Sequence, residues 1–448
     1  MVGPAFKLLD PHTSARLLQL VAASDGTVHL AGLIIAKAHL ERMGEDASLE
    51  FTYRLLLDGR GEGVRAEALE AAVVSCVRLA GAADEAHASS SAPAPAPARS
   101  PAAAAAASVT APSASTTPAA PAPAKPHLHI AAVVRGAMLG ESEGASTSGS
   151  GDGVDLRSLR LSLEGYKRWT KRCPALHAAL SGLLVRVGGP TQGLDRRRAA
   201  LLGLGPQLPM LAQMGKLPPD AALLQPTWAW ALGSRLPPVQ RKEWRLLFSS
   251  QRDGKSFNTF FGRVSATPGP TLTLVRDKGG ALFGGYASCP WVKSGNFFGD
   301  VSSFLFTLEP ALQVFPATGV NDNYQWCGVG FSQLPSGLGF GGAAGARGHF
   351  ALYVEPSLDE GMSRPIATYG LTKSLASDQV FQIDTLECWL LQPPEDEMSS
   401  HSDSSTSGSR RGGSQSILNR NVEDRAIMAL AGMKMHSDGV RDEPLEED

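Results

Sequence analysis

Nucleophilic catalysis needs a Ser or Cys within reach of a base, and a carboxylate to orient that base. The five cysteines, Cys76, Cys173, Cys289, Cys327 and Cys388, are widely spaced and contain no CxxC pair. This pattern is neither a zinc knuckle nor a disulfide framework, and it reads as the reduced thiols of an intracellular protein. Between Arg235 and Glu395 the only histidine is His349, and no GxSxG elbow precedes it. Cys289, Cys327 and Cys388 could be redox-active only if exposed beside positive charge; on aromatic-rich strands they are expected to be buried and inert. His127 and His129 form an isolated HxH with no further ligand at metal spacing.

Two stretches imitate phosphate-binding loops. SSQRDGKS (249–256) ends in the right way but carries Ser249 where the backbone wrap needs glycine. GLGFGG (337–342) matches GxGxxG without a strand–helix frame, so a flexible β-loop is expected there. LLDGRGEGVRAEAL has the outline of a calcium loop starting at Asp58, with Gly63 at the turn. Its third and twelfth positions are Arg60 and Leu69, so it lacks the acids that would complete a shell of 6 to 8 oxygens. The residues imply no cofactor, no metal and no catalytic centre.

The elements around these residues divide the 448-residue chain. Residues 1–86 recur apolar at three to four residue spacing and are expected to be helical, as a degenerate EF-hand-like pair. Residues 87–126, rich in Ala and Pro, contain no Leu, Ile, Met or aromatic residue and are expected to be a disordered linker. A short helical or extended segment (127–140), a Ser/Gly loop (141–155) and a helical region (156–232) follow. Residues 235–395 hold 22 of the 29 aromatic residues, and their apolar residues alternate. Strands are expected at 271–277, 304–310, 312–319, 349–356 and 381–391, with a helix at 256–264. The fold class is α+β, an antiparallel β-sandwich with peripheral helices behind an all-helical region. A Ser-rich linker (395–415), an amphipathic helix (416–434) and an acidic tail (435–448) complete the chain. Val422, Ala426, Leu430 and Met433 share one face of that last helix, which is too short to stand alone and so is expected either to dock back on the chain's own helical or β-rich domain or to lie in a partner's groove.

A formal charge of -2 gives no field favouring nucleic acid. The arginine triplet 196–198 has no interleaved aromatics and reads as a solvated helix face. The apolar run from Leu17 to Ile35 is broken by Ser24, Asp25 and Gly26, so no transmembrane segment is expected.

RLPPVQRKEWRLLFSSQRDGKSFNTFF, LFGGYASCPW, FFGD before FLFTL, GLGFGG, HFALYVE and FQIDTLECW, in that order, closely resemble the TLDc domain over residues 235–392. The flanks, SLEGYKRWTKRCP and ILNRNVEDRAIMALAGMKMHSDGVRDEP, are similar to the lysosome-associated, mTOR-linked branch of that family. The resemblance implies a non-catalytic adaptor, peripheral at the lysosome or vacuole. Its implied partners are catalytic-head subunits of the vacuolar proton-pumping ATPase, with a link to mTOR. The wider family implies the alternative, an oxidation-resistance protein acting as redox sensor or antioxidant enzyme. The resemblance also makes Gly284, Gly285 and Gly299 turn glycines and Trp244, Phe304, Phe306 and Trp389 core aromatics, with Glu387 a family acid of no established role. Animal members begin Met-Gly, a myristoylation signal; this chain begins Met1-Val2-Gly3, so direct lipid anchoring is not expected.

Overall fold

A computed structural model describes residues 10–21, 42, 44–57, 63–90, 127–139, 156–187, 208–212, 217, 222–331, 335–342 and 349–391, all within one compact unit, Met1–Pro394. Most of the linker 87–126, the loop 141–155, the arginine triplet 196–198 and everything expected beyond residue 395, including Val422, Ala426, Leu430 and Met433, lie outside the described residues.

Helices come first. α1 (Pro11–Val21) is followed by α2 (Glu45–Leu56), strand β1 (Val64–Arg65) and α3 (Ala66–Ser90); then come α4 (His127–Leu139), strand β2 (Arg160–Leu161), α5 (Leu163–Arg172) and α6 (Ala175–Val187). α3 passes the expected boundary at 86, and 127–139 is helix. β1 and β2 pair antiparallel, so the unit helix–loop–strand–helix occurs twice and the two copies join through a two-residue ribbon. Tyr53 of α2 donates its hydroxyl to the Leu161 carbonyl at 3.0 Å, and Tyr166 of α5 donates to Thr52 at 3.1 Å, locking one copy against the other. Burial pushes the Tyr166 hydroxyl far above its ordinary range.

The sheet elements begin with β3 (Met210–Ala212), α7 (Pro226–Gly233), β4 (Glu243–Ser249), the single turn α8 (Ser250–Asp253) and α9 (Phe257–Ala266). Then come β5 (Thr271–Asp277), β6 (Leu282–Ala287), β7 (Phe304–Glu309), β8 (Gln313–Pro316), β9 (Gln325–Gly328), β10 (Gly337–Gly342), β11 (Phe350–Val354), β12 (Glu360–Met362) and β13 (Val380–Leu390). The region 156–232 is therefore not purely helical, since β2 and β3 interrupt it.

The strand order is β8-β7-β6-β5-β13-β12-β11-β10-β9, with β4 also on β13 and β3 beyond β4. All pairs are antiparallel except β3 with β4. β13 belongs to two sheets: Val380–Gln382 pairs with β12, while Glu387–Leu390 lies between β4 and β5. Its alternation therefore serves three layers. Phe381, Ile383, Cys388 and Leu390 pack between the two sheets with Phe283, Leu305, Phe340 and Leu352. Trp389 points the other way, into a core shared with Trp244, Leu272, Leu274, Phe304 and Phe306 and with Leu56, Val133, Tyr166 and Leu176 of the helices. The helices cover the outer face of one sheet and share its core, so they are not a separate bead on a string.

GLGFGG is a strand, β10, buried at all six positions, which corrects the expectation of a flexible loop. The physical reason is close approach: a β-carbon at Gly342 would stand 2.2 Å from the Phe297 ring, and one at Gly339 would stand 2.9 Å from the Leu352 carbonyl oxygen. Gly284 and Gly285 sit in mid-strand on β6 and are not turn residues. A β-carbon at Gly284 would meet the Thr273 carbonyl oxygen at 1.9 Å and Phe306 at 2.9 Å. Gly299, directly after the bridge between Phe298 and Gln325, has a positive φ of 101°, a backbone conformation that favours glycine.

Candidate functional site

The strand β13 carries a carboxylate in the centre of the sheet. Glu387 pairs with Ser249 on one side and Leu274 on the other, and is wholly buried. Alternation puts it on the face of Trp389, toward the helices. There it accepts N–H bonds from Leu223 at 3.0 Å and Leu224 at 3.4 Å, and from the Trp389 indole at 2.9 Å. Burial raises the Glu387 pKa above its usual range, and these donors offset part of that rise. With both oxygens bonded to structural donors, Glu387 acts as a clamp. It holds the backbone entering α7, a helix with Trp228 and Trp230 buried and apolar all round.

The aromatic residues implied by the resemblance, Trp244, Phe304 and Phe306, share one core with Trp389. Trp244 is buried on β4, donates its indole N–H to the Gln240 carbonyl at 2.6 Å and packs under Gly233. Phe304 and Phe306 are buried on β7, and Phe304 stacks on Tyr286 with centroids 4.9 Å apart. Arg235 lies over the Phe304 ring at 5.4 Å and donates to the last carbonyls of α5, Lys171 and Arg172. It thereby caps a helix of one layer while stacking on a strand of another.

The imitation phosphate loop is filled by the chain itself. Asp253 accepts the Ser249 N–H at 3.1 Å and is gripped by Arg252 and Arg263, while Lys255 is committed to Asp359 at 3.0 Å and the Ile383 carbonyl at 2.7 Å. Burial pushes the Asp253 carboxyl up, but its bonds to Arg252 and to the Ser249 N–H outweigh this and hold it below the usual range. No phosphate could displace that carboxylate without breaking these contacts.

The thiols are arranged against reactivity. Cys76, Cys173, Cys327 and Cys388 are buried. Cys289 is half-buried, with its thiol 3.6 Å from an Asp300 oxygen; burial raises its pKa and the neighbouring carboxylate adds to the rise. A thiolate needs the opposite surroundings. Among the described residues no three His, Cys, Asp or Glu side chains could hold a metal ion, and no helix is long and apolar enough to cross a membrane.

Where α4 meets the sheet, Glu309 holds Arg276 at 2.9 Å on one oxygen and stands 3.2 Å from His129 Nδ1 on the other. The Arg276 contact is a hydrogen bond, whereas the His129 nitrogen is close but not aligned as one. Burial pushes Glu309 up, yet His129 and Arg276 together hold it below the ordinary range. Beside this group runs an open groove of about 520 Å³, lined by Ala131, Arg135, Gly279, Pro310 and Ser377. Sequence reasoning did not single out Glu309, Arg276 or Arg135, because nothing local connects residues so far apart in the chain.

Residues 219–392 match the TLDc domain family, starting 16 residues before the sequence expectation and so including the Leu223–Leu224 segment that Glu387 holds. The chain is 34% identical over 218 residues to the human protein named MTOR-associated protein MEAK7, covering 48% of this chain and 44% of that protein. It is 35% identical over 221 residues to the zebrafish protein of the same name, covering 48% and 46%. To the mouse protein named Nuclear receptor coactivator 7 it is 30% identical over 177 residues, covering 39% and 18%. The similar region thus spans a little under half the length of the MTOR-associated relatives.

Proposed function

We propose that this chain, which carries a TLDc domain over residues 219–392, is a non-catalytic adaptor in mTOR-linked signalling that works at the lysosomal or vacuolar surface. Its proposed partners are the catalytic-head subunits of the vacuolar proton-pumping ATPase. The observation that carries the reading is the similarity to proteins named for their association with MTOR, extending beyond the TLDc domain itself to about half of this chain. The occupied state of the candidate chemical groups supports it. Glu387, Asp253 and Lys255 hold the fold together, and Cys289 faces a carboxylate.

The proposed contact is the apolar stripe Val422, Ala426, Leu430 and Met433, laid into a groove of a pump subunit. Pull-down of pump subunits with the full chain and with a Val422→Asp, Leu430→Asp double variant tests this. Association should fall while the melting temperature stays nearly unchanged. Retained binding with a melting temperature lowered by many degrees would assign the stripe to the protein's own core. Peroxide turnover that disappears in Cys289→Ser would replace the adaptor reading with an antioxidant one.

A further inference from the structure

The outermost strand of one sheet, β8, meets two helices, and a slot remains between them. The Leu312 N–H, one residue before β8, donates to the Ala132 carbonyl of α4 at 2.9 Å, which draws that helix onto the start of the strand. α5 packs on the strand itself. The slot left over has a volume of about 260 Å³ and walls of Gly136, Gly165, Trp169, Leu312 and Val314. The two glycines bring no side chain to fill it, and the other three walls are apolar. Sites for drug-sized ligands run to about 300–1,000 Å³, while about 150 Å³ is enough for a benzene ring, so this slot has the size for one large apolar side chain.

Its rim is basic. α5 (LEGYKRWTKR) carries four cations against one acid, Glu164. Lys167 takes that acid at 3.7 Å and reaches Asp46 at 3.3 Å, and Arg172 has contacts of its own, so neither counts toward the rim. Arg168 and Lys171 remain. They stand three residues apart on one helix face, both exposed beside the slot, and among the described residues neither side chain has a hydrogen-bond or ionic partner. Among the described residues the lining contains no Asp or Glu; Gln313 is neutral, and burial pushes the Cys173 thiol up to about 12, so it stays protonated near neutral pH. The last carbonyls of α5, whose partial negative charge would soften the field of these cations, are taken up by Arg235.

We propose that this slot docks an acidic peptide segment of a partner protein, with one apolar side chain seated among Trp169, Leu312 and Val314 and carboxylates on either side of it paired with Arg168 and Lys171. Size and charge complementarity choose this occupant together. A free inorganic anion satisfies the rim and leaves the apolar walls empty, whereas a neutral apolar peptide leaves both cations without partners. The site shares no residue with the stripe Val422, Ala426, Leu430 and Met433, and it does not rest on the pump as partner.

Fluorescence anisotropy with the full-length protein tests this. The probe is a fluorescein-labelled synthetic peptide in which one leucine is flanked on both sides by glutamates. It should bind, and its affinity should fall as sodium chloride is raised, because the rim lies in solvent. Replacing the leucine by serine, or the glutamates by lysines, should weaken binding about tenfold or more. An Arg168→Gln, Lys171→Gln double variant should lose about tenfold in affinity and keep the parental melting temperature, since neither side chain has a partner to lose. The same peptide with photo-leucine as its anchor should label residues 165–173 or 312–314 on irradiation, read by mass spectrometry. No binding of the glutamate peptide, equal binding after the leucine is replaced, equal binding by the double variant, or labelling elsewhere in the chain overturns the proposal. A uridine oligonucleotide that binds more tightly than the peptide and loses affinity in the same double variant assigns the rim to nucleic acid and overturns it as well.

Discussion

A β-carbon on Gly136 would stand 2.0 Å from the carbonyl oxygen of Leu312. The same turn of α4 accepts the Leu312 N–H at the Ala132 carbonyl, 2.9 Å away, so helix and sheet meet backbone to backbone. Gly136→Ala must push the helix off the sheet, because neither a carbonyl nor a helix turn can swing aside as a side chain can. We expect a loss of about 1–3 kcal/mol or more, read as a lower denaturant midpoint, whereas Ala137→Gly one position on should cost roughly the propensity difference and the one buried methyl. Equal stability of Gly136→Ala and the parent would show that the two layers are not in direct contact here.

The Glu387 clamp yields a second contrast. Glu387→Ala strands the N–H groups of Leu223 and Leu224 and the Trp389 indole, and each buried donor left unpaired costs about 1–3 kcal/mol. Hydrogen exchange of the 222–225 backbone should quicken in that variant, even at temperatures where the rest of the sheet stays protected.

The two glutamates of the layer junction should titrate with opposite signs. The pKa of Glu387 is raised on folding, so the native state holds its proton more tightly. Its contribution is full below the unfolded value near 4.3 and is lost as pH climbs through the folded value. Glu309 is lowered, so its contribution is present above the unfolded value and lost as pH falls through the folded one. In thermal melts across acid to neutral pH, Glu387→Gln should gain on the parent as pH rises. Glu309→Gln should fall behind the parent at neutral pH and converge with it in acid. The same sign for both variants would contradict the assigned environments.

Cys289 should alkylate more slowly than an unstructured cysteine, because burial and Asp300 both oppose the thiolate. Asp300→Asn should speed iodoacetamide labelling of Cys289, followed by mass spectrometry, while Cys327 and Cys388 stay unlabelled in the native protein. Fast labelling of parental Cys289 would reopen a redox role.

Much of the β region is legible from alternation: 271–277 coincides with β5, 304–310, 312–319 and 349–356 each contain a strand, and 381–391 is offset from β13 by one residue. β10 escaped because alternation needs side chains, and four of its six residues are glycine; the rings that fill its faces come from Phe297, Phe350 and Tyr369, distant in sequence. The second helix–loop–helix copy was hidden for a related reason. Two residues of strand, Arg160 and Leu161, carry no period, and only the pairing with Val64 and Arg65 gives them meaning. Glu387 was visible only through family resemblance, since nothing in ECW tells a buried clamp from a solvated acid. Its partners Leu223 and Leu224 lie more than 160 residues upstream.

β13 closes both sheets, and among the described strands it is the last to leave the ribosome. Before Val380 emerges, β5, β4 and β12 have been made, but each still lacks its neighbour on the side that β13 will fill. Pairing across so long a stretch of chain is slow, because loop closure must come before any contact rewards it. Synthesis at roughly 5–20 residues per second therefore leaves the edges of β4 and β5 bare for roughly 5–25 seconds, and that of β12 for about 1–4 seconds. A premature stop anywhere before Val380 yields a chain with both sheets open, a client for chaperones and proteases and not a shortened adaptor.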